Sequence, residues 1–134
     1  MRIILLDLNY TLVSNSEIKI HPFDKQILKE EYRKDLIYAL RNDLVILVTA
    51  RPEHYKLRTL YNLKRKTGWN PVAAYFNSYN TTPPICKERI LREHLEKIYN
   101  KEKMLAIESN PLTRAMYNKH NIKAVTYQEF MELS

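Results

Sequence analysis

The chain opens with an unbroken apolar run, Ile3-Ile4-Leu5-Leu6, that stops abruptly at Asp7. Every position is apolar and the first two are β-branched. Such a run has no polar face to give to water. It reads as a short strand buried on both sides, the habit of a parallel sheet with helices above and below. Asp7 then stands where the strand leaves the sheet, in the crevice where open α/β sheets hold ligands. A buried carboxylate is costly unless paired, so stability alone explains this acid poorly. The bland alternative is a loop acid capping a turn.

The rest of the chain repeats the pattern. Residues 44–48, LVILV, run into Thr49-Ala50-Arg51-Pro52; residues 72–76 read VAAYF; Met104–Ile107, MLAI, run into Glu108-Ser109-Asn110-Pro111; residues 122–126 form a fifth short run. Between them the apolar positions recur at helical spacing. Ile27, Leu28, Tyr32, Leu36, Ile37 and Leu40 predict one helix over 24–42, or two broken near Arg33. Pro52 suits the first turn of a helix bearing Tyr55, Leu57, Leu60, Tyr61 and Leu63 and ending near Gly68. Pro83-Pro84 argues against helix in the loop 77–84, so the next helix is expected over 87–99, opened by Lys87. Residues 112–120 and Tyr127–Leu133 complete the series. Strands alternating with helices predict an α/β fold, a Rossmann-like parallel sheet with helices on both faces. At 134 residues the chain is expected to form a single domain, 1–134.

Composition narrows the chemistry. The net charge of +7 favours an anionic substrate or a polyanionic partner. A single glycine, Gly68, excludes glycine-rich phosphate loops of the Walker or dinucleotide type. One cysteine, Cys86, forms no internal disulfide and reads as a packing residue. No apolar run reaches membrane-spanning length and no signal-peptide pattern precedes the first strand, so the expectation is a cytoplasmic protein without a membrane partner. The four histidines lack ligand spacing, which disfavours zinc. Lys56, Arg58, Lys64, Arg65 and Lys66 form a basic helix, read either as a solvated face or as a nucleic-acid contact. The ten tyrosines read mostly as core edges, with base stacking as the alternative.

If the strands are parallel, their ends share one edge of the sheet. Asp7, Thr49 with Arg51, and Glu108 with Asn110 then gather there, joined by Lys87. This succession resembles the haloacid dehalogenase superfamily, mostly phosphatases. Its first motif, an apolar strand followed by Asp-x-Asp-x-Thr, is matched by Asp7-Leu8-Asn9-Tyr10-Thr11-Leu12. The second is matched by VILVTARP with Thr49, the third by Lys87, and the fourth, less closely, by LAIESNP. Within the superfamily the second half is similar to the phosphatase domain of polynucleotide kinases.

The resemblance implies roles. Asp7 attacks phosphorus and forms an aspartyl-phosphate. Asp7, the backbone carbonyl of Asn9, and Glu108 hold Mg2+. Thr49, Ala50, Arg51 and Lys87 bind the phosphoryl group, and Lys87 offsets its charge against Asp7. For Arg51 alone, helix capping is the alternative. The segments where relatives insert caps are short, so no separate cap domain is expected. An uncapped site admits large substrates or relies on a partner to cover it, and with the +7 charge this favours nucleic-acid ends or nucleotides over small metabolites. The partner expected is a phosphorylated small molecule or a nucleic-acid end.

The departures are equally specific. Asn9 stands where relatives carry the acid that protonates the leaving group and activates water, and an amide does neither. Glu108 is one methylene longer than the usual aspartate. Ser109 and Asn110 stand where a second acid is usual, and Tyr10 replaces the common glycine. The expectation is therefore a Mg2+-dependent phosphatase of nucleotides or nucleic-acid ends. The alternative is an impaired relative that binds a phosphorylated ligand or a protein partner without turnover. The oligomeric state is not legible.

Overall fold

The computed structural model describes residues 1–133. Five strands, β1 (Ile3–Leu6), β2 (Leu44–Pro52), β3 (Ala73–Asn77), β4 (Met104–Ile107) and β5 (Lys123–Val125), form one parallel sheet in the order β3-β2-β1-β4-β5. The first strand is central, paired with β2 through Leu6↔Leu47 and with β4 through Leu6↔Ile107. Its alternate side chains feed two cores. Ile4 and Leu6 pack with Leu36, Leu40, Leu47, Leu63 and Ile107, while Ile3 and Leu5 pack with Ile46, Val48, Ile90, Leu95 and Tyr117. This is why the strand carries no polar position.

Helices α1 (Phe23–Lys29), α2 (Lys34–Ala39) and α3 (Lys56–Thr67) follow the first two strands. Helix α4 (Pro83–Ile90) continues through a wide turn, residues 91–95, into the short α5 (Glu96–Ile98). Helices α6 (Pro111–Lys119) and α7 (Tyr127–Leu133) flank β5. The break between α1 and α2 falls at residues 30–33, as the apolar spacing allowed. There Tyr32 bridges antiparallel to Val13, with Ser14 N donating to Glu31 O and Arg33 N to Leu12 O, both at 2.8 Å. No separate cap is present between β1 and β2 or between β3 and α4.

Two proline readings need correction. Pro52 ends β2 rather than opening a helix; a 3-10 turn, Glu53–Tyr55, intervenes before α3. Pro83 and Pro84 occupy the first turn of α4, where no intrahelical N–H is needed and the fixed φ suits the helix. The helix thus starts four residues before Lys87, which lies one turn inside it. Gly68 closes α3 in the left-handed region (φ +74°), as its position suggested. Among the described residues no helix is long and apolar enough to cross a membrane.

Candidate active site

Because β1 and β4 are adjacent and parallel, the residues that follow them meet at one edge. Asp7 N donates to Ile107 O at 3.0 Å, and Glu108 N to Val125 O at 2.8 Å, so both acids leave the sheet on backbone still held by the ladder. Lys87 reaches them from α4. Its Nζ donates to Asp7 Oδ1 at 2.8 Å and to Glu108 Oε1 at 2.6 Å. All three side chains are buried. A lysine at this depth needs two carboxylates to offset its desolvation.

The charges tune one another. Burial works to raise the Asp7 carboxyl, but the Lys87 charge, with hydrogen bonds from Lys87 and Ser109, outweighs it and holds Asp7 below its ordinary value. Burial opposes the charged form of Lys87 as well, yet Asp7 and Glu108 drive its ammonium well above the usual lysine range. Glu108 is the member that yields: burial, against the pull of Lys87 and reinforced by Asp7, pushes it up to about 7. At neutral pH the cluster therefore holds an ionised Asp7 and a charged Lys87 beside Glu108, the carboxyl of the two that keeps its proton more readily.

Asp7 Oδ2 accepts from Thr11 Oγ1 at 2.9 Å and from Ser109 through Oγ at 2.7 Å and N at 3.2 Å. The Ser109 hydroxyl also lies 3.3 Å from the carbonyl of Asn9. The turn after β1 brings that carbonyl round: Asn9 is extended, Tyr10 is left-handed, and Val13 N closes onto Leu8 O at 2.9 Å. Thr49 is buried at the end of β2, where the register against β3 shifts between Val48 and Pro52. Such irregularities recur beside active sites because they re-aim side chains. Thr49 Oγ1 accepts from Arg51 N at 3.1 Å, which leaves its own O–H to donate elsewhere.

These groups line one cavity of about 530 Å³, walled by Asp7, Asn9, Tyr10, Thr49, Ala50, Pro83, Lys87, Glu108, Ser109 and Asn110. A larger hollow of about 1100 Å³ opens at the opposite edge of the sheet. There the acid–base pair of Arg2 and Asp43 is self-satisfied, and no buried nucleophile faces it. The smaller cavity is where the chemistry lies.

Of the residues singled out by the sequence pattern, Asp7, Asn9, Thr49, Ala50, Lys87 and Glu108 line this cavity, beside the fourth-motif Ser109 and Asn110, whereas Arg51 does not. Arg51 is buried behind the cavity. Its guanidinium grips both carboxylate oxygens of Glu30, donates to Thr59 Oγ1 at 2.9 Å, and donates to Asn9 Oδ1 at 2.8 Å. It neither caps a helix nor faces the open space; it sets the rotamer of Asn9. With Oδ1 engaged, the Asn9 amide has its N–H groups left to present. Glu30 escaped the sequence reading, since no spacing rule links an acid in a helix break to a strand end 21 positions away.

Glu108 also departs from the expected ligand set. Its Oε1 faces Lys87, and its Oε2 accepts from Asn110 N at 3.0 Å. The oxygens that converge are Asp7 Oδ2, Asn9 O and Ser109 Oγ. Among the described residues no three His, Cys, Asp or Glu side chains form a metal-holding group. The converging set is nevertheless all oxygen with one carboxylate. Magnesium takes few carboxylates and fills its remaining positions with water and substrate phosphate, so these donors fit it.

The basic helix α3 is largely engaged by neighbours. Arg58 pairs with Asp24, Lys66 donates to Glu30 O, Arg65 to Asn62 Oδ1 and Lys64 to Gly68 O. Cys86 is buried in the core, as expected of a packing residue.

No protein-family model matches the chain, and no curated protein matches it. Solved structures do resemble it. A chain of a Pnkp1/Rnl/Hen1 complex superimposes with a TM-score of 0.76 at 13% identity, covering 94% of this chain and 44% of that one. A chain of the Pnkp1/Rnl/Hen1 RNA repair complex gives 0.70 at 14%, covering 93% and 41%. The apo form of a phosphoserine phosphatase gives 0.61 at 16%, covering 98% of each. This chain spans less than half the length of the two repair-complex chains. The fold is haloacid-dehalogenase-like, of the type shared with these proteins.

Proposed function

We propose that the protein is a phosphomonoesterase that transfers a phosphoryl group to Asp7 and then to water, acting on nucleotides or nucleic-acid phosphate ends. The observation that carries this reading is the Asp7 carboxylate. It is buried, held ionised by Lys87, and set at the base of a cavity whose other walls offer donors. A structural acid has no need of an open cavity in front of it.

The residues divide the work. An Asp7 carboxylate oxygen forms a bond to phosphorus as the ester P–O bond breaks. The Thr49 hydroxyl and the Lys87 ammonium donate to the phosphoryl oxygens and offset their charge. Asn9 donates its amide N–H to the leaving oxygen but cannot protonate it, so that proton comes from solvent. Water then attacks phosphorus, the Asp7 carboxylate departs, and phosphate leaves. Asp7, the Asn9 carbonyl and Ser109 would hold Mg2+, which when bound supplies further charge stabilisation to the phosphoryl group. The open site and the net positive charge favour phosphates at the ends of large or polyanionic substrates. The likeness to a chain of an RNA repair complex supports the same substrate class.

The test is phosphate release from nucleoside monophosphates, 3′- and 5′-phosphorylated oligonucleotides and an aryl phosphate, with Mg2+, beside Asp7→Asn. Release by the native protein and none by the variant is expected, with an acid-stable, hydroxylamine-labile phosphoenzyme in the native protein alone. The position of Asn9 supports one other reading, a phosphate-binding protein without turnover. That reading takes first place if no substrate is hydrolysed while nucleotides still bind.

A further inference from the structure

Four described residues adopt a left-handed backbone: Gly68, Asn80, Asn121 and Tyr10, the last at φ +62°. Glycine has no Cβ to clash, and asparagine tolerates the region better than other side chains. Tyrosine has neither excuse. The turn itself does not ask for an aromatic ring. It is closed by backbone bonds, Val13 N to Leu8 O and Leu12 N to Asp7 O, and the amide of Tyr10 donates to Ser16 Oγ at 2.8 Å. Glycine would make all three bonds without strain.

Nor does the ring repay its strain by packing. Tyr10 is 50% exposed and belongs to neither core. It lines the candidate cavity and is the one aromatic residue to do so. The Lys19 ammonium lies 5.0 Å from its ring centroid, a cation–π contact that restrains the ring at the rim. Strain kept at a cavity mouth by a side chain that belongs to neither core points to function. Reach is suitable too. Tyr10 is three residues from Asp7, so their backbones lie no more than about 10 Å apart. That is the scale separating the phosphate from the heterocycle in a nucleoside phosphate.

We infer that Tyr10 is the specificity-determining residue of this site, a platform on which the base of a nucleoside phosphate stacks while its phosphate lies against Asp7, Thr49 and Lys87. The inference deepens the phosphatase reading and borrows from it only the seat of the phosphate. Stacking on an aromatic ring is tolerant of base identity, so the platform selects nucleosides over small alkyl phosphates rather than one base over another.

The test compares native protein, Tyr10→Gly and Tyr10→Phe by two readouts. One is the ratio of kcat/KM for adenosine monophosphate to that for glycerol phosphate. The other is the ratio of Kd for inorganic phosphate to that for adenosine monophosphate, measured by calorimetry, which needs no turnover. Tyr10→Gly suits a left-handed position and is expected to fold. It should lower both ratios roughly five- to hundredfold, the value of one stacked base. Tyr10→Phe, which keeps the ring, should stay within about twofold of native. The same comparison with a short phosphorylated oligonucleotide shows whether a strand end uses the platform as the mononucleotide does. Unchanged ratios in Tyr10→Gly overturn the platform even if hydrolysis is observed. Loss of the binding ratio without hydrolysis of any phosphate supports the platform and overturns the phosphatase reading.

Discussion

Replacing Lys87 by methionine isolates what the buried charge cluster costs and what it contributes. The substitution keeps the length of the side chain and removes two charge-assisted hydrogen bonds, at 2.8 and 2.6 Å, from a site shielded from water. Asp7 and Glu108 then face each other without a cation. Removing one partner from a buried ion pair destabilises by about 3–5 kcal/mol, and two stranded carboxyls place this variant at the upper end. A domain of this size is stable by about 5–15 kcal/mol, so the variant should be marginal at pH 8. Acid should rescue it. In the native fold Asp7 lies below its ordinary value, so its contribution is present above that value and fades as pH falls through the folded one. Glu108 has the opposite sign. Raised from 4.5 to about 7, it favours the folded state most at low pH and loses that contribution as pH rises through 7. Without Lys87 both carboxyls are raised, and each proton held in the folded state adds about 1.4 kcal/mol per pH unit on acidification. Urea denaturation at pH 8 and pH 5 should show the variant recovering roughly 3–4 kcal/mol relative to native. Adding Glu108→Gln to the lysine substitution should recover part of the loss at pH 8. A variant as stable as native at pH 8, or one that loses stability against native on acidification, would refute the account of the cluster.

Two further predictions concern the departures from the motif pattern. Asn9→Asp sets a carboxylate 2.8 Å from the Arg51 guanidinium, which holds it ionised and makes it a base rather than an acid. Steady-state hydrolysis of an aryl phosphate should rise about a hundredfold, because a base at this position activates the water that clears the aspartyl-phosphate; an unchanged rate, with Asp7→Asn inactive, would show that another group activates the water. Ser109→Asp adds a second carboxylate beside Asp7 Oδ2 and the Asn9 carbonyl, so Mg2+ should raise the melting temperature of this variant more than that of native protein. Equal shifts would place the metal elsewhere.

Much of this arrangement was legible because it rests on local rules. A four-residue apolar run cannot be half exposed, so β1 had to be central or nearly so, and an acid ending it had to emerge at the sheet edge. The prolines misled because the same residue suits a helix's first turn and a strand's last position; only the neighbouring chain decides between them. Arg51 was legible as important but not as to its target. Its partner Glu30 arrives through the packing of α1 against α3, a tertiary outcome with no sequence period. The role of Ser109 was hidden for a similar reason. Its hydroxyl became informative only once the extended Asn9 turned its carbonyl towards it.

The antiparallel bridge between Val13 and Tyr32 has a consequence for engineering. Its flanking bonds, Ser14 to Glu31 and Leu12 to Arg33, pinch the chain at both ends of an 18-residue excursion. An insertion at an exposed point of the excursion leaves and re-enters through this stem, while α1 and Glu30, which holds Arg51 of β2, stay in place. Residues 17–19 and 21–22 lie exposed within it, and Lys19 reaches the ring of Tyr10, which lines the cavity. A foreign domain grafted there would stand next to Tyr10 while Asp7, Lys87 and Glu108, all outside the excursion, kept their positions, so the excursion is a socket for building selectivity onto an otherwise open site.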